Sequence, residues 1–573
     1  MAVGTALESK PAKLEGRSDE ALSHSASSNN PAWLGLLLPS VTDLIFMILL
    51  AAMTFGALAP RLLGDAGIGW HIRNGQQMLA THSIARTDSF SSTRSGQPWY
   101  AWEWLYDLGI AKVHDRLGLN GVVFFTALVI AATFAMLFPF TLARGGSLLV
   151  TVVFVVLAVC ASAIHLFARP HVLSWLLAVI WFQVLDSSEA APVANRRLFW
   201  LPVLMLLWVN VHGGFLLGLA LMGIYLLAGL FRYAASVVSK QWTKKLAGVT
   251  GLTLVATLVN PYGYKLHVHV YDYLSNRFLM SHIDEFQSPD FHGVAQQCFA
   301  ALLLVTIVAL ASARGKIRTS HLLVVVFAAY SGLYASRNLP TSSLLLTLVV
   351  APMLSQAVAD AGTEKQLAAW LRRFFSQLQS FSARMGDMEQ SCHGHLWPLA
   401  AVILGLVVCV QHGRLGSRPL MDAHFDAKRF PVAAADFMAH NSIGEPVFAP
   451  DYWGGYLIYR FSPAMKVVVD DRHDLYGEQF LRNYLNIVHV APSWEASLDS
   501  MRTDWVLAPA GSSLVNILKE SSQWKVIYED KTAVMFHRAR IREWEQTSDV
   551  GSQTSGAGST FHPQVRTPTA CRC

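Results

Sequence analysis

Eleven apolar runs between residues 36 and 412, most near the roughly 20 residues a helix needs to cross a bilayer, constrain the chain most. They lie at about 36–60, 120–141, 148–167, 172–185, 198–210, 213–231, 246–260, 294–312, 320–335, 340–357 and 396–412. A soluble core of this size does not need such runs. Charged residues supply only 14% of the chain and hydrophobic ones 53%, against roughly 25% charged in an ordinary soluble domain. The prediction is a polytopic α-helical membrane protein. Runs 172–185, 198–210 and 246–260 are short, which predicts tilted or re-entrant segments. Asn210 and His212-Gly213-Gly214 interrupt 198–231, which reads either as two helices or as one long broken helix.

The polar first 35 residues lack a secretory leader's basic start and short apolar core, so the first run reads as a retained span. With this segment in the cytoplasm, the short inner connections carry Arg144, Arg196, Arg197, Arg232, Lys240, Lys244, Lys245, Arg314, Lys316, Arg318, Lys365, Arg372, Arg373 and Arg384. The short outer connections carry only Arg169, Lys265, Arg277 and Arg337. This is the positive-inside bias. It places the first long loop (61–119) and everything beyond about 413 on the outer face of a bacterial inner membrane. Residues 413–540 read as a small α/β domain. Its helices are expected at Phe430–His440 and Ser512–Glu520, and its strands at Pro446–Ala449, Met465–Val469, Trp505–Ala508 and Val526–Tyr528. The Ser/Thr/Gly/Pro-rich tail 541–573 reads as disordered. A dispersed net charge of +6 gives no reason to expect nucleic acid. No Cys-x-x-Cys pair or Cys/His ligand spacing calls for structural zinc.

The unusual polar residues gather on the outer connections, where ionisable groups beside apolar spans mark a site by default. Each also has a plainer reading. Asp65 could cap the helix that follows it, and Glu103, between Trp102 and Trp104, could be an interfacial anchor. Arg169 and Arg337 could snorkel to headgroups, but both neighbour proline at a helix end and break the charge bias, which favours an anionic ligand. His212 could satisfy backbone freed by a helix break. Asn260-Pro261-Tyr262-Gly263 reads as a helix stop. His267, His269, His282 and His292 read as metal ligands or as solvated side chains. Chemically, an outer carboxylate supplies a general base for a hydroxyl acceptor, and arginine forks suit phosphate. Trp70, Trp99, Tyr100, Trp102 and Trp104 could stack on sugar faces or anchor at the interface. Together these fit a transferase using a lipid-linked phosphosugar.

The segments DAGIGWHIRNG (65–75), DSFS (88–91), GQPWYAWEWL (96–105), RPH (169–171), NVHGG (210–214), NPYG (260–263) and RNLP (337–340) occur in that order. With DYWGGYLIYRF (451–461) and VVVDDRHDLYG (467–477), they carry a resemblance to bacterial multi-pass proteins related to the C-type (GT-C) glycosyltransferases, which use polyprenyl-phosphate sugars. The resemblance implies a catalytic acid in the first outer loop, Asp65 by position, with Glu103 as the second candidate. The substrate-binding set expected beside them is Trp70, His71, Arg169, His171, His212, Arg337 and Asn338. Ala66-Gly67 follows Asp65 where relatives commonly have a second acid, which weakens a paired-carboxylate metal site. Asp284 and Glu285 could replace the missing acid. No cofactor is firmly expected, and a divalent cation stays open.

In the outer domain, Asp470-Asp471-Arg472 is the most site-like group, although a charged strand-to-helix turn is the favoured reading. Tyr452-Trp453-Gly454-Gly455-Tyr456 could contact a glycan or pack the domain. The expected partners are a polyprenyl-phosphate sugar and a glycan, lipid or protein acceptor, and the expected reaction is one-step transfer with inversion. A carrier or transporter of lipid-linked glycans is the rival, since broken helices suit a pathway. A transporter should use ionisable residues on both sides of the midplane, whereas the distinctive ones here are expected on one side. An envelope-assembly scaffold is the third reading.

Overall fold

The computed structural model describes residues 37–191, 196–233, 236–313, 317–392 and 394–539. The N-terminal segment 1–35, the tail 541–573, Arg314 and Lys316 lie outside them. Helices occupy every apolar run. In chain order the membrane half contains α1 (Val41–Thr54), the loop helix α2 (Gly67–Thr81), α3 (Trp104–Leu142), α4 (Leu148–Ala161) and α5 (His171–Ala190). It continues with α6 (Trp200–Val211), α7 (Phe215–Phe231), α8 (Val237–Ala256), α9 (Val294–Ser312) and α10 (Thr319–Tyr334). It ends with α11 (Leu339–Thr363), the amphipathic α12 (Ala369–Ser391) and α13 (Leu396–Val410). Five of the described helical segments are long and apolar enough to cross a membrane unaided.

Two of the short runs are longer as helices, because polar residues continue α5 and α8 to 20 residues each. The 198–231 run is two helices: His212 is extended (φ −165°, ψ 144°) and ends α6 before α7 begins. Helix α3 starts well before its apolar run, and Gly118 (φ +62°) kinks it close to where that run begins. Such a φ is nearly free only for glycine.

Local bonds fix how the helices run. Ser40 and Asp43 form a capping box at the start of α1. Asp43 also meets His395 at 3.0 Å, and Gly394 N–H donates to Leu38 O at 2.9 Å. Helices α1 and α13 therefore start at the same end. Past the other end of α13, Ala423 N–H donates to Asn120 beside the α3 kink at 2.9 Å.

At the end where α1 starts, Asp186 accepts from Arg144 (2.8 Å) and Arg318 (2.7 Å) and lies 2.7 Å from His321. Glu189 pairs with Arg232 at 3.0 Å and with Arg318 at 3.4 Å. This buried cluster corrects the one-sided expectation. Ionisable groups occupy both ends of the bundle, and at this end the carboxylates staple the connections around α4, α7 and α10 to the end of α5.

The outer domain holds α14 (Val432–His440), β1 (Val447–Phe448), α15 (Asp451–Phe461), α16 (His473–Val488), β2 (Trp505–Pro509), α17 (Ser513–Glu520), β3 (Trp524–Glu529) and β4 (Ala533–Arg538). The sheet order is β1-β2-β4-β3, with β1 parallel to β2 and the other pairs antiparallel. The expected strand Met465–Val469 forms only isolated bridges, from Val467 to Ser91 and to Val447. Its backbone is spent on the first outer loop instead. Val467 N–H donates to Phe90 O (3.0 Å), and Ser92 N–H donates to Val467 O (2.8 Å). The loop thus extends the domain's sheet.

Helix α15 lies on α2 with no room for side chains between them. A Cβ on Gly69 would collide with the Gly455 carbonyl oxygen, and one on Gly455 with that of Ala66. The WGG run therefore packs the domain onto the loop.

We predict that Gly69→Ala lowers stability by about 1–3 kcal/mol, the usual range for overpacking, whereas Gly109→Ala, which meets nothing within 4 Å, leaves it unchanged. Thermal unfolding in detergent checks this, and equal midpoints for the two variants would contradict the close contact. Asp186→Ala should cost roughly 3 kcal/mol, because it removes the carboxylate partner of the largely buried Arg144. An unfolding midpoint equal to wild type would refute the stapling role.

Candidate active site

The first outer loop is held to the outer domain by a buried arginine. Arg472 binds Asp470 (2.7 Å) and Asp88 (2.8 Å), with all three side chains almost fully buried. Asp88 also accepts from Ser91 Oγ (2.6 Å) and from the backbone N–H groups of Ser91 and Phe90. Burial works to raise the Asp88 pKa, but Arg472 and the Ser91 donors hold it below the usual carboxylate value. The Arg472 guanidinium lies 4.6 Å from the centre of the Trp99 ring. The DSFS and DDR motifs are thus two halves of one latch.

That latch, a charged turn leading into α16 as expected, also aims Asp471 at the membrane half. Asp471 meets Arg169 at 3.3 Å, and Arg169 meets Asp65 at 3.1 Å on its other side. Trp70 Nε1 donates to Asp471 at 2.9 Å, and Gly67 N–H donates to Asp65 at 2.8 Å. Asp65 therefore accepts from the first N–H of α2 and also binds the arginine. Burial, with the charges of Asp65 and Asp470, raises Asp471 to about 7 against the pull of Arg169. A Cβ on Gly67 would crowd Asp471, Asp65 and Arg169 at once.

A second group lies beside this trio. His71 Nδ1 contacts Asp107 at 2.6 Å, and Asn74 donates to the other Asp107 oxygen at 2.6 Å. If Nδ1 carries the proton, the buried Nε2 presents its lone pair 3.7 Å from Glu103 and has no other partner. His212 Nδ1 accepts from Gly214 N–H at 3.0 Å, so its Nε2 carries the proton and faces Glu103 at 3.6 Å. Glu103 is therefore flanked by two imidazoles without a short bond to either. Burial, reinforced by the Asp107 charge, pushes its carboxyl well above the usual value. Burial and the nearby Arg169 push His71 down, toward the neutral form.

Other expected residues have different work. Arg337 pairs with Glu285 at 3.4 Å and stacks on Phe286. Burial opposes ionisation of Glu285, but Arg337 and Arg169 lower its pKa to about 2. His171 Nε2 lies 2.8 Å from His165 O, and Asn338 donates to Ser331 O at 3.1 Å, so both tie down turns. Trp70 stacks on His71. Tyr262 of the NPYG turn donates to Ala85 O and accepts from Ala101 N–H, pinning the outer loop. The histidines 267, 269, 282 and 292 engage Thr257, Asp474, Phe278 O and Asp290 respectively, and do not converge.

The residues around Asp65 do not fit a divalent ion. The Arg169 guanidinium fills the position between the Asp65 and Asp471 carboxylates that a shared cation would take. Among the described residues, no three His, Cys, Asp or Glu side chains are arranged to hold a metal.

No protein-family model matches the chain, and no curated protein matches it in sequence. Its structure, however, is similar to solved ones. An oligosaccharyltransferase from Archaeoglobus fulgidus, tethered with an acceptor peptide containing the NVT sequon, aligns with a TM-score of 0.51 at 11% identity, over 89% of this chain and 74% of that one. The archaeal oligosaccharyltransferase AglB from the same organism, in complex with an inhibitory peptide and a dolichol-phosphate, aligns with a TM-score of 0.50 at 11% identity, over 90% and 75%. ArnT from Cupriavidus metallidurans, bound to undecaprenyl phosphate, aligns at 0.41 and 12% identity over 87% and 97%. The chain is a polytopic helical membrane protein with a GT-C-like fold, capped by a small α/β domain.

Proposed function

We propose that this protein transfers a sugar from a polyprenyl-phosphate donor to a hydroxyl of a glycan, lipid or protein acceptor, at the outer face of the bacterial inner membrane. One observation carries the reading: a guanidinium, three carboxylates and two imidazoles from five separate segments meet at one end of the helical bundle. The oligosaccharyltransferase of the same fold was solved with a dolichol-phosphate, which supports a lipid phosphate as the donor's anchor. The excess of basic residues on the opposite connections supports the sidedness.

In this reading Glu103 accepts the acceptor hydroxyl's proton as the oxygen attacks the anomeric carbon. The carbon–oxygen bond to phosphate breaks on the opposite side, and the lipid phosphate leaves toward Arg169, inverting the anomeric centre. His71, held by Asp107, stands behind Glu103. Asp65 orients Arg169. Glu103 is preferred to Asp65 as the base because Asp65 is already engaged by a guanidinium and a backbone N–H.

A base must be ionised to act. A carboxyl with a raised pKa loses activity as pH falls through that raised value, so the acid limb of kcat/KM is expected above the ordinary range near 4.5. Glu103→Gln should lower kcat by about 100-fold or more and abolish this limb. Asp65→Asn should mainly raise the donor KM. Release of radiolabelled sugar from a panel of polyprenyl-phosphate sugars measures both. If Asp65→Asn eliminates turnover while Glu103→Gln keeps it, Asp65 is the base.

The second buried ionisable cluster, around Asp186, favours a transporter as the alternative. Its carboxylates, however, are already paired with arginines of the same cluster. A transporter would move labelled lipid between the leaflets of proteoliposomes without releasing sugar, which separates the two readings.

A further inference from the structure

We propose that Asp471, carried by the outer domain, is an exchangeable counter-ion that occupies the phosphate's place on Arg169 and gives it up when the donor binds. The inference rests on the proposed use of Arg169 for a lipid phosphate and adds a residue and a control to it. Arg169 is already shared by two carboxylates, at 3.1 Å and 3.3 Å. These spend two of the guanidinium's five N–H donors, and a phosphate added while both stay ionised would put three negative groups around one cation. Withdrawal or neutralisation of one carboxylate relieves that repulsion.

The two are not equivalent. Asp65 belongs to the chain turn that starts α2, where Gly67 N–H holds it. Asp471 projects from a separate domain and, among the described residues, has a single donor besides Arg169, the Trp70 indole, from which a neutral carboxyl can still accept. The charged groups that act on Asp471 are Arg169 from the turn before α5, Asp65 from the turn before α2, and its own neighbours Asp470 and His473. Asp470 is itself a carboxylate, and His473 is committed to Asp451, so neither neutralises Asp471. Its pKa of about 7 makes protonation near neutral pH the accessible route. Donor binding then takes up a proton at Asp471, while the donor phosphate takes its place on Arg169.

The test measures undecaprenyl phosphate binding to the full-length protein in nanodiscs, comparing wild type with Asp471→Asn from pH 6 to pH 8.5. The ratio of the two affinities cancels the lipid phosphate's own titration. If the binding-competent form is the protonated one, its population falls to roughly 1 in 30 at pH 8.5. Asp471→Asn should then bind about 30-fold tighter than wild type at pH 8.5 and nearly equally at pH 6. A ratio that does not change with pH, or a variant that binds more weakly throughout, overturns the exchange. Proton uptake supplies a check that needs no variant: at pH 8, calorimetry of wild type in buffers of different ionisation enthalpy should show close to one proton taken up beyond the change of the lipid itself. No uptake overturns the proposal. If neither protein binds the lipid at any pH, the lipid-phosphate reading fails along with the exchange. Binding with a flat ratio sinks the exchange alone.

Discussion

The buried Arg472 is the contact on which the site depends. It joins Asp88 of the first outer loop to Asp470 of the outer domain, in a setting with almost no water. Removing a partner from such a group is costly, because the remaining charge stays buried. The geometry downstream follows from it. With the latch closed, Val467 extends the sheet into the loop, α15 settles on α2 at Gly69 and Gly455, and Asp471 reaches Arg169. The outer domain is part of the site, and the membrane half alone would lack one of the three groups around Gly67.

The electrostatics of the site are unusual for a phosphate receiver. Carboxylates outnumber guanidiniums: Asp65, Glu103, Asp107, Glu285 and Asp471 surround Arg169 and Arg337. Glu103 and Asp471 are pushed upward mainly by burial, so near neutral pH part of this negative charge is absent. Such divergent environments separate groups that hold a proton from groups that remain anionic. In the proposed transfer Glu103 takes up the acceptor's proton once it is ionised, and Asp65 keeps the arginine in place.

Much of this was legible in the sequence, because bilayer thickness and backbone hydrogen bonding leave apolar runs few alternatives to helices. Polar residues on alternate connections then marked one end of the bundle, and Asp65, Glu103, His71, Arg169 and His212 do meet there. Asp471 was not legible as part of it. Local pattern describes a charged turn, and only the tertiary contact between residues about 300 apart brings it to Arg169. The signal that could have found it is the glycine pair Gly454-Gly455 matched by Gly67 and Gly69, since runs of small residues mark close backbone approach. Asn338 and His171 show the converse. Both sit in site-like motifs, yet both satisfy local carbonyls at turns. The Asp186 cluster was hidden because its acids end an apolar helix whose inner connections were read for basic residues alone.

The most direct test of a single site shared by the membrane half and the outer domain is a density map of the wild-type protein with a polyprenyl phosphate bound. The account predicts the phosphate against Arg169, between Asp65 and Glu103, with Asp471 moved off the guanidinium. A phosphate bound at the Asp186 end, or at Arg337 with the Asp65–Arg169–Asp471 trio unchanged, would contradict it.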